Sequence, residues 1–191
     1  MSRVRRVGVG IGAVLAAAGI AVGIAAGQAG AAPTAGSQPE QQQSQHGVPA
    51  AIQVPDGNRR VAALSARGVQ TYQCTGGAWV FVQPDAILSA HGRAQILHSR
   101  GPVWTSVLDG SSVTGAVVAS SPVDGAIPQL LLRATANRAP GLLGTVTFIQ
   151  RLDTRGGLAP AGACGTEGVT TSVPYTANYT FWVAVQKVAA A

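Results

Sequence analysis

Residues 175–186 read YTANYTFWVAVQ, and the alternation within them decides the fold. Tyr175, Ala177, Tyr179, Phe181, Val183 and Val185 are apolar or aromatic, whereas Thr176, Asn178, Thr180 and Gln186 are polar; only Trp182 and Ala184 break the pattern. Successive side chains leave a pleated strand on opposite faces, so a period of two marks a half-buried β-strand. Aromatic residues make up only 5% of the chain. Their concentration at Tyr175, Tyr179, Phe181 and Trp182 makes this strand a main contributor to the core.

Upstream, residues 144–152 (GTVTFIQRL) alternate as well. Val146, Phe148 and Leu152 share the parity assigned to the interior, and Thr145, Thr147, Arg151 and Asp153 share the other with Ile149. Gln150 falls on the apolar side. A buried amide left without partners costs about 1–3 kcal/mol. Gln150 is therefore expected to bond neighbouring backbone, with contact to a ligand as the second reading.

Further candidate strands occupy residues 51–54, 60–64, 69–74, 78–82, 94–98, 103–108, 113–119 and 130–135. Turn signals separate them, among them Pro55-Asp56-Gly57-Asn58, Thr75-Gly76-Gly77, Arg100-Gly101-Pro102 and Asp109-Gly110-Ser111, which combine residues that fix φ or tolerate positive φ. Residues 84–90 are the expected place for a helical turn. About ten short strands and no long 3.6-residue period predict an all-β domain, either an antiparallel β-sandwich or a small closed barrel, with little or no helix outside the N-terminal segment.

The 191 residues suit one domain of this kind, large enough to bury a real core. Residues 1–31 read as a secretory signal peptide: a cationic start through Arg3, Arg5 and Arg6, an uncharged apolar run, and an A-x-A pattern at Ala29-Gly30-Ala31. Retention of this run as an uncleaved anchor is the alternative; after cleavage no stable membrane insertion is expected. Gly8-Val9-Gly10-Ile11-Gly12-Ala13 matches a dinucleotide-binding fingerprint, but no strand precedes it and no acidic residue follows at the required distance. Residues 32–47 hold no large apolar side chain and are expected to form a disordered linker, leaving 48–191 as the single β-rich domain. The formal charge of +6 owes three units to the N-terminal arginines, and the remaining excess is scattered, which excludes nucleic acid as a partner.

Export places Cys74 and Cys164 in an oxidising compartment, where each has one available partner, so a structural disulfide is expected. The ingredients of a hydrolytic triad exist in His98, Asp109, Ser111 and Ser112, but without a nucleophile-elbow motif the Asp109-Gly110-Ser111-Ser112 run reads first as a turn. Two domain histidines without carboxylates or thiols at ligand spacing give no metal site, and no cofactor is expected. His98 and Trp104 flank Gly101-Pro102 and can stand together across a hairpin, where they would pack or stack on a planar ligand.

Several motifs occur in a fixed order: Val48-Pro49-Ala50, Tyr72-Gln73-Cys74, Trp79, His98, Gly101-Pro102, Trp104, Asp109-Gly110-Ser111, then Ile127-Pro128, Val146-Thr147-Phe148-Ile149-Gln150-Arg151, Cys164 and Val173-Pro174-Tyr175-Thr176-Ala177. In this succession the chain resembles the bacterial and fungal Domain of Unknown Function 3455 family over residues 48–186. The resemblance implies a secreted β domain without an established activity. Some fungal relatives carry a malate dehydrogenase label, which is not transferred here because no nucleotide-binding βαβ unit is present. The function expected from the residues is a non-catalytic extracellular or envelope module that binds a small ligand or glycan, with Trp104, His98 and Gln150 as binding candidates. The alternative is a secreted hydrolase using His98, Asp109 and Ser111 or Ser112.

Overall fold

A computed structural model describes residues 45–186. The signal segment and all but the last three residues of the linker lie outside them. Eight antiparallel strands form one sheet that closes on itself in chain order: β1 (Asn58–Thr75), β2 (Ala78–Ala90), β3 (Arg93–Ser99), β4 (Val103–Ser106), β5 (Ser112–Val123), β6 (Ala126–Arg138), β7 (Val146–Gly156) and β8 (Thr170–Ala184). Closure is made by β1, which pairs with β2 on one side and with β8 on the other, from Asn58 opposite Ala184 to Gln73 opposite Thr170. Of the two all-β architectures the sequence allows, the fold is the barrel.

The strands are fewer and longer than the turn signals suggest. Residues 60–64 and 69–74 are one strand, because Ser65 to Gly68 continue the same alternation, with Leu64, Ala66, Gln70 and Tyr72 buried and Ser65 and Arg67 exposed. The helical turn expected over 84–90 is absent: Pro84, Ala86 and Leu88 are buried while Asp85 and Ile87 are exposed, a period of two that pairing with β1 imposes over local helix preference. Residues 51–54 are not a strand but a short 3-10 turn, Ala50–Ile52, followed by extended chain. The β1–β2 hairpin turns on Gly76 and Gly77, whose φ values of 60° and 80° are those of a two-residue turn that suits the twist of a hairpin and that side-chain-bearing residues resist.

The barrel is filled from alternate positions of every strand. Tyr175, Ala177, Tyr179, Phe181 and Val183 of β8 all point into it, packing in one cluster with Leu88, Ile96, Trp104, Leu132 and Ile149 from other strands. Gly115 of β5 supplies the clearance for Trp104: a Cβ there would lie 3.2 Å from the indole. One end of the barrel is stoppered by Leu143, fully buried on the connection between β6 and β7. That connection is tied down by the β4–β5 turn. The Asp109 carboxylate accepts from Leu142 N (2.8 Å), Ser111 N (2.9 Å) and Ser111 Oγ (2.6 Å), and Ser111 Oγ accepts from Leu143 N (3.0 Å).

A second apolar cluster lies outside the ring. Residues 45–54 form a strap across the outer face of β6, β7 and β8, where Ile52 and Val54 cover Leu131 and Trp182, flanked by Phe148 and Leu152. Gln150 fastens it. Its Nε2 donates to Ile52 O (2.7 Å) and Gln45 Oε1 (3.2 Å), while its Oε1 accepts from Thr180 Oγ1 (2.8 Å) and Trp182 Nε1 (3.1 Å). This cover is why Trp182 interrupts the alternation of β8: from Thr180 to Val183 both faces of the strand are buried.

Candidate functional site

The hairpins β1–β2, β3–β4 and β5–β6 and the β7–β8 connection share the end of the barrel opposite Leu143. A cavity of about 560 Å³ opens there and runs into the interior. Phe81, Arg100 and Val117 stand exposed at its rim. Trp104, Leu132 and Tyr179 are buried along its inner wall.

The strand pairing explains how the inner residues meet. His98 and Trp104 are direct partners across the β3–β4 ladder, and the rings stack with centroids 4.3 Å apart and planes 4° from parallel. Tyr179 meets both, at 5.5 Å from His98 and 5.8 Å from Trp104. His98 Nδ1 is bonded to Val103 O at 3.0 Å, which fixes the ring. Burial lowers the pKa of His98 from its ordinary value near 6.5 to about 4, so the ring is neutral at neutral pH. The unfolded chain takes up a proton on this side chain near pH 6.5 and the folded chain only near pH 4; stability therefore falls as pH drops through that window. Unfolding in urea across pH 7 to 4 should show a loss of about 3 kcal/mol from this group. His98→Gln should flatten the curve in that interval, and an unchanged slope in the variant would contradict the assignment.

Arg151 of β7 also lines the cavity. A bulge between Val146 and Phe148 shifts the parity of this strand, so that Val146, Ile149 and Arg151 face the barrel while Phe148, Gln150 and Leu152 lie under the strap. The inward assignment of Phe148 and Leu152 and the outward one of Arg151 are thereby reversed. The guanidinium donates twice to Pro128 O, from Nε at 3.1 Å and Nη2 at 2.9 Å, and sits near enough to the Tyr179 hydroxyl to oppose the rise that burial causes in its pKa. Its field also reaches Tyr72, His98 and Tyr175. Among the described residues no aspartate or glutamate lines the cavity. Two buried donors on its wall, Gln70 Nε2 and Trp104 Nε1, have no hydrogen-bond partner among the described residues.

The structure disperses the remaining sequence candidates. Asp109 and Ser111 bond to each other and to the β6–β7 connection, and neither they nor Ser112 line the cavity that holds His98. Three donated hydrogen bonds, Leu142 N first, hold the Asp109 carboxyl well below the usual carboxylate range, the signature of a turn anchor. Gln150 lies outside the ring, on the strap. Cys74 and Cys164 are joined, with Cα atoms 5.7 Å apart. Among the described residues no group of three or more His, Cys, Asp or Glu is placed to hold a metal ion, and no helix is long and apolar enough to cross a membrane.

A second, larger hollow of about 900 Å³ lies on the outer surface between Arg67, Asp153, Arg155 and Asn178. Three of its polar side chains already bond to one another: Ser65 Oγ donates to Asn178 Oδ1 at 3.1 Å and Asn178 Nδ2 to Asp153 Oδ2 at 2.9 Å. The smaller cavity has the features of a ligand site, an apolar wall with a few unpaired polar groups.

Fold and site together define a closed eight-stranded antiparallel barrel with a ligand-sized cavity open at one end. A family model described as "Protein of unknown function (DUF3455)" matches residues 55–183, and the chain belongs to that family, as the order of its motifs implies. No curated protein and no solved structure matches the chain.

Proposed function

We propose that this chain is an exported, non-catalytic binding protein that takes a small, largely apolar molecule into its barrel. The observation that carries the reading is the cavity itself. An eight-stranded barrel is just wide enough to be filled by side chains or to hold one small ligand, and here the interior is filled at the Leu143 end and hollow at the other. The disulfide suits an oxidising compartment and thus export. The separation of His98 from Asp109, Ser111 and Ser112 favours binding over hydrolysis, because acyl transfer needs nucleophile, base and carboxylate within hydrogen-bond reach of one another.

The reading is tested with N-phenyl-1-naphthylamine, an uncharged dye that fluoresces when taken into apolar surroundings. The wild-type chain should bind it saturably. Val117→Trp, which adds bulk at the exposed rim without entering the core, should weaken binding by about tenfold while leaving thermal stability unchanged, since exposed substitutions move stability little. No saturable binding, or equal binding by the variant, would overturn the proposal.

A further inference from the structure

The interior of the cavity is unbalanced in both charge and hydrogen bonding. Arg151 brings a permanent positive charge into it, and Arg100 stands at the mouth with the same sign. Among the described residues nothing acidic lines the wall, and Asp85, whose field reaches His98, is exposed outside it. Charges drawn out of water are normally paired, and the half-buried Arg151 bears part of that cost. The two Pro128 O bonds satisfy one side of the guanidinium but supply no negative charge. Hydrogen bonding leans the same way: Gln70 Nε2 and Trp104 Nε1 are N–H donors on side chains 3% and 1% exposed, and neither has an acceptor among the described residues. An indole nitrogen can only donate, so the missing partner of Trp104 must be an acceptor. Around these donors the wall is apolar, with Val117, Leu130 and Leu132 on one side and Pro84 on the other.

We propose that the ligand is an apolar carboxylate: its head is held by Arg151 and accepts from the unpartnered N–H groups of Trp104 and Gln70, and its hydrocarbon body lies along Leu130, Leu132 and Val117. The proposal rests on the reading of the cavity as a binding site and adds the ligand's class. A planar carboxylate matches the fork of a guanidinium, and its two oxygens have lone pairs for the two further donors. A neutral alcohol of the same length would gain the apolar contacts and leave the charge of Arg151 unanswered. An amine would add a second cation beside it.

The test is competition against N-phenyl-1-naphthylamine on the full domain with three ligands of one chain length: decanoate, 1-decanol and decylamine. Decanoate should displace the dye at least about tenfold more tightly than decanol, the gain expected of charge-assisted hydrogen bonds, and decylamine should be the weakest. Arg151→Met should remove the advantage of decanoate while keeping the affinities for decanol and dye. Arg151→Lys, which retains the charge and is less disruptive to the Pro128 contact, should keep part of the advantage. If decanol competes as well as decanoate on the wild-type protein, the ligand class is wrong although the cavity still binds. If decylamine is preferred, the sign is wrong. Should the dye itself fail to bind, the underlying reading falls with it, and that outcome is distinguished by the dye titration alone.

Discussion

Replacing Cys74 and Cys164 together by alanine is expected to destabilise the domain by about 4–5 kcal/mol, the largest single effect foreseen. The bond joins residues 90 positions apart, so it removes a wide range of conformations from the unfolded chain. In the folded state the same junction is held in other ways. Cys164 N donates to Gly77 O at 3.0 Å, Gly168 N to Cys74 O at 2.9 Å, and Gly76 N to Glu167 Oε2 at 2.9 Å. The connection between β7 and β8 therefore stays seated on the β1–β2 hairpin without the sulfurs, and the loss falls on the unfolded side of the equilibrium. Guanidinium unfolding of the double variant, and of the wild type in reductant, should give the same lowered midpoint. Coincidence of the variant's midpoint with that of the oxidised wild type would refute the account.

Gln150→Leu should cost about 4 kcal/mol, from several buried polar groups losing a partner at once. Ile52 O loses its donor and Thr180 Oγ1 its acceptor, while Trp182 Nε1 keeps only its bond to Thr180 Oγ1 at 2.8 Å. The deficit has a ceiling. Once it exceeds the free energy that docks residues 45–54, the strap lifts and water satisfies the freed groups. Two measurements separate the regimes: the denaturant midpoint reports the total loss, and the rate of proteolysis within residues 45–54 reports lifting. A variant with wild-type midpoint and wild-type protection would show that the amide does not fasten the strap.

The final strand was legible in the sequence because one rule governs it from Tyr175 to Val183: odd positions enter the barrel. The disulfide was legible because a chain with two cysteines leaves each of them one partner. The parity of β7 was not, since alternation read along a chain assumes an unbroken ladder, and the bulge after Val146 moves the side chains from Phe148 to Leu152 to the other face before a second irregularity follows Leu152. Arg151 consequently reads as a solvent-facing residue when it lines the inner part of the cavity. A trace of this was present in Ile149, an apolar side chain stranded among Thr145, Thr147 and Arg151. Trp182 carried a similar trace, its break in the pattern marking a strand covered on both sides. Gln70 gave no signal, because a glutamine at an inward position differs from one at an outward position only in what surrounds it.

The pairing of the first strand with the last sets how this domain can be made. Until residues 170–184 have been synthesised, β1 has no partner along its β8 side, and its backbone from Asn58 to Gln73 presents unpaired donors and acceptors to any passing strand. Joining segments so far apart in the chain is also slow. The native ring is thus a product of the finished polypeptide, and a chain cut short anywhere before β8 is a candidate for aggregation rather than a smaller working domain.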